Sequence, residues 1–171
     1  MYISDMTATG TQNPTTENQT GAPDPRWLND LEMAAWLGYV ETQGDLLTAL
    51  EGDLAETGLT LGDYQVFVYL TRSEDQSMRM CDLATRLQLS PSGLTRRLDG
   101  LVSEGWIERR GSESDRRVML AVLTDSGRRK LALAAPHHVE SVRNHIIDHL
   151  DNADLEAMAR IFDKIRSALD A

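Results

Sequence analysis

A chain of 171 residues, 41% of them hydrophobic, holds enough apolar material for one core plus extensions. Its single cysteine, Cys81, excludes an internal disulfide framework. No apolar run approaches the roughly 20 residues of a membrane span, and no basic-then-apolar leader opens the chain, so a cytoplasmic protein is expected. The net charge of −10 argues against a nucleic-acid partner, yet residues 79–130 carry 11 of the 17 Lys and Arg and only 7 of the 27 Asp and Glu. This central third alone can face an anionic partner, on an acidic frame.

Residues 1–25 are rich in Thr, Asn, Gln, Gly and Pro and read as a disordered tail. From Trp27 to Glu56 the residues Leu28, Leu31, Ala35, Tyr39, Leu46, Leu50 and Leu54 recur at mostly helical spacing, and Gly58 is a stop. A helix of about 30 residues is ~45 Å long, too long for the interior of a small domain, which suggests packing on a second subunit. A second helix is expected over 61–72, a polar turn over 73–76, and a short helix over 80–87. Ser90 and Pro91 supply an N-cap and a first-turn proline for a helix to Glu104, which Gly105 ends. Residues 106–110 and 118–123 read as two strands around the turn Gly111-Ser112-Glu113-Ser114-Asp115. Thr124 caps a long helix to about Leu150, with Pro136 expected to kink it or remove one bond. The last helix starts at Asp151 or Asp154 and carries the stripe Leu155, Met158, Ile161, Phe162, Ile165 and Leu169.

The segment from Met80 to Glu104 therefore forms a helix-turn-helix. Leu83, Ala84 and Leu87 are expected to pack on Leu94 and Leu98. The second helix then exposes Ser90, Pro91, Ser92, Gly93, Thr95, Arg96 and Arg97. Free amides at its start attract phosphate, hydroxyls bond phosphates or base edges, and arginine forks onto guanine. Arg109, Arg110, Arg116 and Arg117 cluster around the hairpin that follows, as a ribbon entering a minor groove requires. Asp115, repelled by DNA, reads as a brace fixing the rotamer of Arg117.

The stretch Cys81-Asp82-Leu83-Ala84, the pattern Leu94-Thr95-Arg96-Arg97-Leu98, then Leu101, Gly105 and Trp106-Ile107 resemble the MarR family of bacterial regulators. The most specific match is Asp115-Arg116-Arg117 through Val122-Leu123-Thr124-Asp125-Ser126-Gly127, which is similar to the family's wing. The resemblance covers about residues 27–170. It implies a mainly α fold with a small β-hairpin wing: a winged helix-turn-helix over 60–124, with dimerisation helices over 27–57 and 125–170, in a single domain of 26–171. It also implies a homodimer on a pseudo-palindromic double-stranded DNA operator, repression, and release by an unidentified small-molecule effector, with no cofactor and no membrane partner.

By position, Trp36, Tyr39, Tyr64 and Phe67 are candidates to line an effector cleft, against the plainer reading that they are core or interface. Cys81 reads as a buried structural thiol. His138, His145 and His149 share one helix face, yet 138 and 145 are about 10 Å apart along the axis, and no metal site is expected. Neither a Gly-rich phosphate loop nor a nucleophile or zincin motif is present, so an enzyme is not expected. A winged-helix adaptor that binds protein instead of DNA is the other alternative.

Overall fold

The computed structural model describes residues 25–170 apart from Ser114 and Arg116. All but the last residue of the expected tail lie outside the described residues. Two compact units follow in order, one ending at Trp36 and one beginning at Leu37. In the first, helix α1 (Asp30–Ala55) begins. Asn29 and Glu32 each accept the other's amide through a side-chain oxygen, both at 2.9 Å. This reciprocal capping sets the start at Asp30, three residues later than the apolar pattern suggested.

In the second unit the order continues with α2 (Leu61–Thr71), β1 (Ser77–Arg79), α3 (Met80–Arg86), α4 (Pro91–Ser103), β2 (Ile107–Gly111), β3 (Met119–Leu123), α5 (Asp125–His145) and α6 (Asn152–Leu169). The fold is thus mainly helical with a small antiparallel sheet, as expected. The sheet has three strands, not two: β3 lies between β1 and β2, with Ser77 opposite Val122 and Ile107 opposite Leu123. Three residues are too few to show a period of two, which is why β1 leaves no trace in the sequence pattern.

The core forms where α2, α3 and α4 meet this sheet. Leu94, Leu98 and Leu101 of α4 are buried with Val66, Phe67 and Leu70 of α2, Leu83 of α3, and Ile107, Ala121 and Leu123 of the strands. Each such leucine contributes on the order of 1.5–3 kcal/mol through burial. The Phe67 ring meets Trp106 edge-on, with centroids 6.1 Å apart. Over the Trp106 ring sits the Lys130 ammonium, 4.7 Å from the centroid, which also donates to the Thr57 carbonyl at 2.6 Å.

Thr124 joins α5 to the end of α4. Its hydroxyl accepts the Gly127 amide at 3.0 Å and shares its proton between the carbonyls of Gly105 and Trp106. A side chain at Gly127 would overlap the Trp106 carbonyl, so this corner needs glycine. α5 runs through Pro136 as one helix and ends at His145, earlier than expected, because Ile146 leaves the helical region at φ −144°. A 3-10 turn over Ile147–His149 follows before Asp151 caps α6. No described residue of α6 is fully buried: Leu155 and Met158 are half-buried, and Ile161, Phe162, Ile165 and Leu169 of its apolar stripe are exposed.

α3 and α4 end alike. Past α4, Gly105 is left-handed at φ +69°, with Gly105 N–H on Val102 O and Trp106 N–H on Leu101 O, both 3.0 Å. Past α3, the helix-turn-helix corner repeats these bonds, Gln88 to Thr85 and Leu89 to Ala84, with Gln88 at φ +54°. Glycine adopts this conformation freely, whereas a residue with a Cβ is held there at a cost of about 1–2 kcal/mol. Gln88→Gly is therefore expected to stabilise the protein by about 0.5–1 kcal/mol after the extra freedom of the unfolded chain is counted. Urea denaturation checks this, and a destabilised variant would mean that the corner is not strained.

Candidate nucleic-acid interface

Ser90 caps α4 through its hydroxyl, which accepts the Gly93 amide at 3.1 Å and lies 3.2 Å from the Ser92 hydroxyl. Pro91, Ser92, Thr95 and Arg96 are exposed along the same end, Thr95 donating its hydroxyl proton to the Pro91 carbonyl at 2.9 Å. The first turn of α4 holds no carboxylate, whereas the first turns of α1, α2, α3, α5 and α6 each hold at least one. The positive end of this helix dipole is thus left for an outside anion.

The arginines expected to share this face divide into two groups. Arg96 is exposed and has no polar partner among the described residues. Arg110 and Arg117 are exposed on the hairpin, Arg110 with only a loose 3.7 Å approach to Glu108. Arg109 turns inward instead. Its guanidinium donates to the Thr95 carbonyl and to Asp99, both at 2.8 Å, and so holds β2 against the middle of α4. Arg97 also turns inward, onto Thr60 Oγ1 at 3.2 Å and Asp63 Oδ1 at 3.4 Å. Arg116 lies outside the described residues.

Asp115 does brace its neighbour, but not as expected. Its carboxylate accepts the backbone amide of Arg117 at 2.9 Å, fixing the turn rather than the arginine rotamer. A short loop carboxylate reaches an amide two residues on more readily than a long side chain folds back. The loop also closes through Ser112 N–H on Val118 O at 2.9 Å.

Away from this face, a cleft of about 320 Å³ opens between α1, α2 and α5, lined by Leu47, Leu50, Tyr64, Gln65, Arg72 and His138 among others. Of the four aromatic candidates, Tyr64 alone lines it. Phe67 is corrected to core: it is fully buried, because it falls off the stripe 61, 64, 65, 68 that α2 turns to the cleft. Tyr39 is an exposed ring 6.4 Å from Phe162, and Trp36 is exposed on α1. The residues the sequence reading missed, Gln65, Arg72 and His138, are polar positions with no periodic signature. They come together only when α2 and α5 pack.

The three histidines expected on one face have separate neighbours. The His138 ring packs on Tyr64 at a tilt of 45°, with centroids 4.3 Å apart, His145 Nε2 lies 2.8 Å from Asp53 Oδ2, and His149 Nε2 lies 2.8 Å from the Asn144 carbonyl. The buried Ser141 donates to the same Asp53 oxygen at 2.6 Å, and this bond, helped by His145, holds the Asp53 carboxyl below its ordinary pKa. Cys81 is exposed, not buried, its Sγ 3.5 Å from Asp82 Oδ1. Leu83 and Ala84, not Cys81, take the inward side of α3.

Comparison with known proteins bears on this arrangement. Residues 57–118 match the model of the MarR family. The crystal structure of AbsC, a MarR family transcriptional regulator from Streptomyces coelicolor, is 40% identical. It aligns over 85% of this chain and 99% of its own, at a TM-score of 0.80. Sco3205, a MarR family regulator from the same organism solved in complex with DNA, is 30% identical over 88% of this chain and 94% of its own, at 0.80. The transcriptional repressor MprA of Escherichia coli is 29% identical over 75% of this chain and 72% of its own.

Burial holds the His138 imidazole below its ordinary pKa, so its neutral form is favoured in the folded protein. A depressed folded pKa contributes stability above the unfolded value of about 6.5 and loses it as the pH falls through the folded one. Melting temperature is therefore expected to fall from pH 8 to pH 5.5 by more in the wild type than in His138→Phe. Equal falls would show that His138 is not the group that titrates.

Proposed function

Since the chain belongs to the MarR family, we propose that it is a DNA-binding transcription regulator: a cytoplasmic repressor that engages a pseudo-palindromic operator as a homodimer and is released by a small-molecule effector. The observation that carries the reading is the carboxylate-free first turn of α4, with Ser90, Pro91, Ser92, Thr95 and Arg96 exposed, as are Arg110 and Arg117 of the wing, on a chain of net charge −10. α4 enters the major groove with its N-terminal end, and Arg96 reaches base edges or phosphate. The wing, with Arg110, Arg116 and Arg117, anchors on the adjacent minor groove or backbone, where the Asp115 turn sets its shape. Sco3205 was solved with DNA and MprA is a repressor, which supports this assignment.

The homodimer reading rests on apolar surface left over. Leu133, Val139, Ile161, Phe162, Ile165 and Leu169 are exposed along α5 and α6, and Tyr39, Val40 and Leu47 along α1. Exposed apolar surface on this scale marks an interface. Helices over 27–57 and 125–170 would form it, flanking a winged unit over 60–124. Two-fold symmetry then places half-sites about one helical turn, roughly 10 bp, apart. The 320 Å³ cleft, at the small end of ligand sites, suits an effector whose ring stacks by Tyr64 and whose polar group meets His138 or Arg72. Filling it would change the separation of the two α4 helices, so that both half-sites could no longer be engaged together.

The test is an anisotropy titration onto a duplex selected from a randomised pool, over several salt concentrations. Tight binding by two subunits with a steep salt slope is expected. The triple change Arg96→Ala, Arg110→Ala, Arg117→Ala should abolish specific binding and flatten the slope by about 0.9 for each phosphate no longer neutralised. Undiminished binding by the triple variant would refute this docking.

A further inference from the structure

Arg97 belongs by sequence to the basic face of α4, but its side chain leaves that face. Its guanidinium lies over Gly62, in the space a Cβ would take, and bonds Thr60 Oγ1 at 3.2 Å and Asp63 Oδ1 at 3.4 Å. Thr60 and Asp63 are also the two halves of the capping box that starts α2, each accepting the other's amide at 3.1 Å. One residue on, the Leu61 amide donates to Glu51 Oε2 of α1 at 2.7 Å. The first turn of α2 thus holds α1 through Glu51 and α4 through Arg97. An open cavity of about 530 Å³ beside it is walled by Glu51, Gly62, Gln65 and Arg97.

From this geometry we infer that Arg97 is a positioning residue: it clamps α4 to the start of α2 and does not itself contact DNA. The inference rests on the DNA-binding reading above and refines it. Of the consecutive pair, Arg96 meets DNA and Arg97 sets the angle at which it arrives. The clamp also gives α1 a physical route to α4, from Glu51 through the α2 first turn, so a displacement of α1 is passed to the recognition helix. Gly62 is part of the device, because any side chain there expels the guanidinium.

Gly62→Ala separates the two roles, since it frees Arg97 without changing any charge. The full chain carrying G62A, R97A, D63N or R97A together with D63N is titrated onto the selected duplex at several salt concentrations, and each form is melted without DNA. G62A and R97A are expected to weaken specific binding by roughly tenfold, within the range of coupled neighbours, while leaving the salt slope unchanged. The double variant should melt no lower than R97A alone. Binding by G62A that equals or exceeds the wild type, or a slope that falls by about 0.9 per subunit in R97A, identifies Arg97 as a phosphate-binding residue and overturns the inference. Additive melting shifts overturn the clamp whatever the DNA result. Non-additive melting in a protein that binds no duplex leaves the clamp standing and removes the DNA-binding reading instead.

Discussion

The structure depends on one constraint: α4 must be held firmly by one side while the other stays bare. Thirteen residues carry both duties. Leu94, Leu98 and Leu101 sink into the core, where close packing leaves few alternative positions. Two arginines then grip the flanks of the helix, Arg109 from β2 and Arg97 toward α2. The first turn that remains outward is short, polar and free of acid. An exposed helix end held only by its apolar stripe could rotate. Hydrogen bonds on both flanks remove that freedom, and a reader of base edges needs its donors fixed before it meets them.

Charge follows the same division. An acidic chain repels DNA at long range and attracts it only where the field is locally reversed. Carboxylates cap or flank the first turn of every other α-helix described, and α4 alone is spared. Asp99 is the instructive exception. It sits exposed on α4, yet Arg109 pairs with it at 2.8 Å, so its negative charge is offset from within. The inward-turned Arg97 and Arg109 thus pair with the carboxylates around α4, while Arg96 stays exposed.

The elements of this fold were legible wherever a single residue's local chemistry decides the backbone. Ser90-Pro91 and Thr124 mark helix starts to the residue, and Gly105 marks an end. β1 was not legible, because a three-residue edge strand has no period and takes its existence from β3. The candidate site was legible as a set of residues and not as an arrangement. Helical spacing puts Arg96 and Arg97 side by side, but where each long side chain goes depends on Asp63, which lies 34 residues earlier in the chain. The aromatic candidates divide for the same reason. Tyr64 and Phe67 are both aromatic and three residues apart, and the packing of α2 decides that one lines a cleft and the other fills the core.

The bare stripe on α6 has a consequence for the order in which the molecule is built. The core of the winged unit is drawn mostly from α2 to β3, with Leu54 of α1 and Ala134 of α5 added, and its helix-turn-helix and hairpin pair neighbours in sequence, so most of it can close early. α6 has no buried residue of its own to hold it. On the homodimer reading its ordering waits for a partner, and the last stage of folding becomes bimolecular. A newly made subunit is then a finished reading head on an unfinished stem. Only pairing, which also brings the second head, completes the stem, so single subunits are poor competitors for DNA by construction.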